Sequence, residues 1–166
     1  MNLLEARLEQ QDGRVEAAIG DQRIVLDPEL LSNKPALRSF EGRDVVLGIR
    51  PEALEDAQVA SDAPADRRLK GEVELREALG SEVQAHVSIN GRQAVTEDVR
   101  ELAGDIGVEP GGGAGLHAES EQAVVVARLD PRSGAKEGSP VEMVVDTREL
   151  HFFDPETSLG IYDDGG

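Results

Sequence analysis

The chain has 166 residues, room for one domain or two small lobes sharing a core, and no cysteine, which excludes disulfides, thiolate metal sites and cysteine nucleophiles together. Its 34 acidic residues against 17 Lys and Arg give a formal charge of −17. With the basic residues scattered rather than gathered into a stripe, neither nucleic acid nor anionic lipid is expected as a direct partner.

Period-two alternation dominates from the start. In residues 3–9, Leu4, Ala6 and Leu8 share one face while Glu5, Arg7 and Glu9 share the other. Residues 15–19 and 23–26 read as a hairpin around Gly20-Asp21. Asp27 caps a short turn opened by Pro28, which must stop before Pro35. In residues 44–50, Val45, Leu47 and Ile49 point one way, and Pro51 opens a further turn. Residues 55–68, rich in Ala, Asp and Pro, read as a connection between a first β-rich part, 1–54, and a second, 69–166. In the next strand, 69–79, the alternation sets Val73 and Leu75 opposite Glu72, Glu74 and Arg76. Val83, Ala85, Val87 and Ile89 alternate with Gln84, His86 and Ser88. Such segments are half-buried antiparallel strands.

Thr96 caps a predicted helix with the apolar stripe Val99, Leu102, Ala103. Residues 104–121, with six glycines and little apolar content, predict a mobile loop. Residues 123–129 are apolar nearly throughout, as in a strand covered on both faces, and 141–146 with 150–153 complete the set. Many short strands and little helix predict an all-β, antiparallel barrel or sandwich. With 2% aromatic residues, the core must come from Val, Leu, Ile and Ala, and no base-stacking platform is available. No apolar run approaches the roughly 20 residues of a membrane span, and no signal segment follows Met1, so a cytoplasmic protein is expected.

Catalytic constellations are not found. The run Pro110 to Gly115 has neither the glycine spacing nor the Gly-Lys-Ser/Thr ending of a phosphate-binding loop. Of the three histidines, His86 lies on a polar strand face and His117 in the glycine-rich stretch. His151 alone has carboxylates close by, Asp146, Glu149 and Asp154, yet no histidine pair has metal-ligand spacing. A hydrolase built on that acidic region has little behind it. The informative segment is Gly48-Ile49-Arg50-Pro51-Glu52, where an apolar strand ends abruptly. Pro51 holds Arg50 extended, and Glu52 falls in the first turn after it. Arg50 is thus displayed at a rigid corner, either in an internal ion pair or as a contact for a partner chain.

This segment resembles the signature of the C-terminal regulatory domain of ATP-binding subunits in carbohydrate-importing ABC transporters of the maltose and trehalose type. Further stretches fit in order: Leu69-Lys70-Gly71-Glu72-Val73, then Glu77-Ala78-Leu79-Gly80-Ser81-Glu82, then Gly138-Ser139-Pro140-Val141 with Val145-Asp146. The run from Leu150 through His151, Phe152, Phe153, Asp154, Pro155 and Glu156 to Thr157 is similar to the family's His-x-Phe-Asp ending, and Met1-Asn2 to its domain junction. Ser158 stands where the family usually has Gly, and the segment 96–121 resembles an extension seen in actinobacterial relatives.

The resemblance implies an OB-fold-like β-barrel of the TOBE type over residues 1–166, homodimerisation, and an N-terminal ATPase domain outside this chain that would hold ATP and Mg. It implies a place at the inner face of the cell membrane, with the transporter's membrane subunits reached through the ATPase domain and a regulatory protein as a further partner. No catalytic, cofactor or metal residue is expected here. Arg50, Pro51, Glu52, Gly80, Glu82, His151, Phe152 and Asp154 are the residues expected at structural, dimer or partner contacts. The rival reading is a free-standing TOBE-type module binding a small oxyanion. The acidic balance and the lack of clustered Lys or Arg speak against it.

Overall fold

The computed structural model describes residues 1–94 and 122–161. The helix expected at Thr96 and the glycine-rich stretch 104–121 lie outside the described residues. Among the described residues ten strands form two five-stranded sheets, antiparallel throughout, in keeping with the alternation. The first joins β1 (Asn2–Gln11), β2 (Arg14–Ile19), β3 (Gln22–Val25), β4 (Asp44–Ile49) and β10 (His151–Phe153) in the order β10-β4-β1-β2-β3. The second joins β5 (Leu54–Asp56), β6 (Arg68–Ala78), β7 (Val83–Asn90), β8 (Gln122–Leu129) and β9 (Pro140–Val145) in the order β5-β9-β6-β7-β8. Their inner faces feed one apolar cluster, with Leu4, Leu47 and Phe152 from the first sheet and Val87, Val125 and Met143 from the second.

The short helix α1 (Pro28–Asn33) starts as its sequence dictates: the Asp27 carboxylate accepts the Glu29 N–H at 2.8 Å, and Pro28 takes the first position. Asp12 and Gly13, both at positive φ, turn β1 into β2.

Three details depart from the sequence reading. The connection 55–68 begins inside a strand, because β5 pairs with β9 and so belongs to the second sheet. That pairing runs across some ninety residues of sequence, and three residues carry no periodic signal of it. Strand β8 alternates among the described residues, with Ala123, Val125, Ala127 and Leu129 buried and Val124 and Val126 half-buried on the other face. Finally, β6 carries a β-bulge between Val73 and Leu75. The extra residue shifts the alternation by one. Val73 stays buried while Leu75 turns outward, 41% exposed, and Arg76 falls opposite the buried Ala85.

At the outer edges of the second sheet, the Glu55 carboxylate bridges β5 and the end of β8, accepting the Asp56 N–H at 2.8 Å and the Asp130 N–H at 3.0 Å. The sheet curls far enough for its first and last strands to share one side chain, the curvature of a half-barrel. Among the described residues no helix is long and apolar enough to cross a membrane.

Candidate functional site

Three of the sequence motifs meet at one end of the first sheet. In the ladder β10-β4-β1, Gly48 is paired with Leu3 on one side and His151 on the other, and Ile49 with Asn2. A Cβ on Gly48 would lie 3.2 Å from the Phe153 ring and 3.3 Å from the His151 Cβ. A side chain there would crowd Phe153 and His151 where they close over β4, besides the movable end of Met1. Phe152 points the other way into the core, 1% exposed and opposite Leu47.

Asn2 fastens this corner to the second sheet. Its side-chain NH2 donates to the carbonyls of Ile49 (3.0 Å) and Val126 (2.9 Å), while its Oδ1 accepts the Val126 N–H at 2.8 Å. One carboxamide thus stands in for a neighbouring strand along the free edge of β8. Gln93 adds a longer bond to the Val124 carbonyl, 3.4 Å.

The corner itself is a 3-10 turn, Pro51–Ala53, closed by the Ala53 N–H donating to the Arg50 carbonyl at 2.9 Å. Arg50 is extended (φ −73°, ψ 145°) and exposed. No ion pair joins Arg50 to Glu52 among the described residues, so the internal pair expected as one option is absent. Nearby, the Arg128 guanidinium grips Glu82 with two bonds, Nε to Oε2 at 2.7 Å and NH2 to Oε1 at 2.9 Å. That grip holds the Glu82 carboxyl below its usual range, and Glu82 with Glu52 raises the guanidinium. The turn from Leu79 to Glu82, with Gly80 at φ +84°, is in this way tied to strand β8 through Arg128.

His151 is half-buried, and burial, Lys34 and Arg50 in that order lower its proton affinity against a small opposing pull from Glu149. Lys34 reaches the Leu150 carbonyl at 3.3 Å, and its own ammonium is lowered by burial. Arg50 and Lys34 thus place two cations beside His151, and together with burial they favour its neutral imidazole. Asp154 shapes the chain that follows β10, since its carboxylate accepts the Glu156 N–H at 2.8 Å and its carbonyl accepts the Ser158 N–H at 2.7 Å. Ser158 there adopts φ 61°, a conformation that favours glycine.

Arg50, Pro51, Glu52 and His151 therefore stand at one end of the first sheet with Phe152 in the core, whereas Gly80 and Glu82 lie in the turn from β6 to β7 and Asp154 follows Phe153, which pairs with Val46 farther along β4. Asn2 was visible in the sequence only as part of a junction, and Arg128 not at all. The signal for Arg128 was a charged residue on an otherwise apolar strand. Among the described residues no three His, Asp or Glu side chains gather as metal ligands. Asp146, beside His151 in sequence, is spent on Arg148 at 3.2 Å. What the arrangement can do is present rigidly held charge to another surface.

Comparison with known proteins gives the following. Residues 1–54 match the family described as the MalK OB fold domain, and residues 47–126 match the TOBE domain. The chain is 28% identical over 163 residues to the trehalose/maltose import ATP-binding protein MalK of Thermococcus litoralis, covering 98% of this chain and 34% of that protein. It is 23% identical over 124 residues to the oligosaccharides import ATP-binding protein MsmX of Bacillus subtilis, covering 75% of this chain and 26% of the relative. The chain thus spans about a third or less of these relatives. Among solved structures, the cytoplasmic molybdate-binding protein ModG shares the fold with a TM-score of 0.51 at 13% identity, over 91% of this chain and 94% of ModG.

Proposed function

Across residues 1–54 and 47–126 this chain belongs to the MalK OB-fold and TOBE domain families, and on that ground we propose that it is the regulatory and dimerisation part of the ATP-binding subunit of a sugar-importing ABC transporter. The observation that carries the reading is the ordered match of both families, joined to relatives whose names specify import of trehalose, maltose and oligosaccharides.

The mechanism is mechanical. The chain itself performs no chemistry; ATP and Mg belong to an ATPase domain on the N-terminal side of Met1, and hydrolysis there drives import. Two copies of this β scaffold hold two such ATPase domains together through the transport cycle. The corner that carries Arg50 and Lys34 around the neutral His151 is the surface offered to a neighbouring domain or a regulatory protein. Such a role needs firm geometry, which Asn2 and Gly48 provide, and charge displayed to solvent, which Arg50 provides. The assembly sits at the cytoplasmic face of the membrane, held there by the transporter's membrane subunits.

Mass spectrometry of the native polypeptide from membranes of its source cells tests this. Peptides preceding Met1 that contain a phosphate-binding Gly-rich loop and the ABC signature are expected. A native polypeptide confined to these 166 residues and free of any transporter subunit would overturn it.

A further inference from the structure

The bulge in β6 has an effect beyond the strand. It rotates Arg76 onto the same side as the buried Ala85, and its Nε is buried with no hydrogen-bond partner. Arg67 and Arg68 also bury Nε, but each guanidinium holds a carboxylate, Asp27 at 3.0 Å and Glu142 at 3.1 Å. Arg76 holds none among the described residues. In a chain with twice as many acidic as basic residues, a half-buried guanidinium without a carboxylate runs against the odds. It also costs the desolvation of a charged donor.

Beside Arg76 lies an open cleft of about 420 Å³, lined also by Ser133, Gly134, Ala135, Lys136 and Glu137. Its loop is firmly held. The Ser133 hydroxyl donates to the buried Asp56 carboxylate at 2.6 Å, and the Gly138 N–H donates to the Val73 carbonyl at 2.7 Å. The Glu137 carboxylate accepts the backbone N–H of Arg76 at 3.0 Å, which ties loop to strand. Lys136 brings a second cation with no ion-pair partner among the described residues.

We propose that Arg76 and Lys136 form a binding site for an oxyanion, a carboxylate or a phosphate, in the cleft between β6 and the loop 133–138. The planar guanidinium fork suits two acceptor oxygens, and the Lys136 ammonium adds a point charge. The volume lies within the range of small-ligand sites. The ligand is either a free small anion or the side-chain carboxylate of another protein, and the chemistry is shared. The proposal does not depend on the transporter reading.

The test is an amide and arginine Nε NMR titration of the 166-residue chain with inorganic phosphate and, separately, with glutamate blocked at both backbone ends. Saturable shifts confined to Arg76 and residues 133–137 are expected with at least one. Saturation by phosphate assigns a free anion, and saturation by blocked glutamate alone assigns a protein carboxylate. Arg76→Gln should weaken binding by about tenfold or more. Lys136→Gln, on the exposed loop, should weaken it several-fold, while Glu137→Gln should tighten it by removing a like charge. Arg148→Gln, remote from the cleft, should leave it unchanged. No saturable shift with either probe, or binding unaltered in both Arg76→Gln and Lys136→Gln, would overturn the proposal.

Discussion

The carboxamide of Asn2 reaches strands of both sheets at once, with three bonds of 3.0 Å or less. Removing it takes one bond each from the Val126 N–H and carbonyl at the edge of β8 and from the Ile49 carbonyl of β4. Asn2→Ala is therefore expected to cost about 3 kcal/mol, since neutral hydrogen bonds contribute about 1 kcal/mol each; urea unfolding checks this, and an unchanged midpoint would refute it. Ser158 carries the opposite sign. Its φ of 61° strains any residue with a Cβ, so Ser158→Gly should stabilise the fold by up to about 1 kcal/mol in the same measurement. His151 reports on the corner that carries Arg50 and Lys34. Its proton affinity is lowered in the folded chain, so below the ordinary value of 6.5 the unfolded chain binds the extra proton. Stability falls as pH drops through 6.5 toward the lower folded value, and the loss levels off beneath it. Arg50→Gln removes one repelling charge, so the NMR titration midpoint of His151 should rise. A midpoint that stays put would place Arg50 away from the imidazole.

Strands β6 and β7 show how far alternation can be read from sequence. In β7 the pattern of Val83, Ala85, Val87 and Ile89 is unbroken and all four are buried, as the two-residue period demands. In β6 the same reasoning holds up to Val73 and fails at Leu75, because a bulge is a property of the pair of strands and not of either one alone. Glycine placement carries the same lesson. A Cβ on Gly71 would run into the backbone carbonyl of Ser88 and lie 2.6 Å from the Val87 side chain. Strand propensity favours Gly71→Val, yet the crowding predicts a loss of roughly 1–3 kcal/mol by thermal or urea unfolding. A stabilised variant would mean that β6 and β7 do not approach so closely. The site was legible as separate motifs in chain order. That Gly48, His151 and Asn2 share one ladder was not, since β10 reaches β4 across about a hundred residues and no local signal names the partner. The bidentate bond between Glu82 and Arg128 was hidden for the same reason.

At the scale of the whole molecule, the formal charge of −17 sets the terms of association. Two identical copies repel through solvent, and that repulsion falls off over about 10 Å at 0.1 M ionic strength. The proposed self-association, at this charge, must then rest on short-range contact and be unmasked by salt. Sedimentation equilibrium of the 166-residue chain across a range of protein concentration, at low and at raised salt, tests the central claim most directly. A reversible dimer whose affinity increases with salt is the expected result. A strictly monomeric mass at every concentration and every salt level would contradict it.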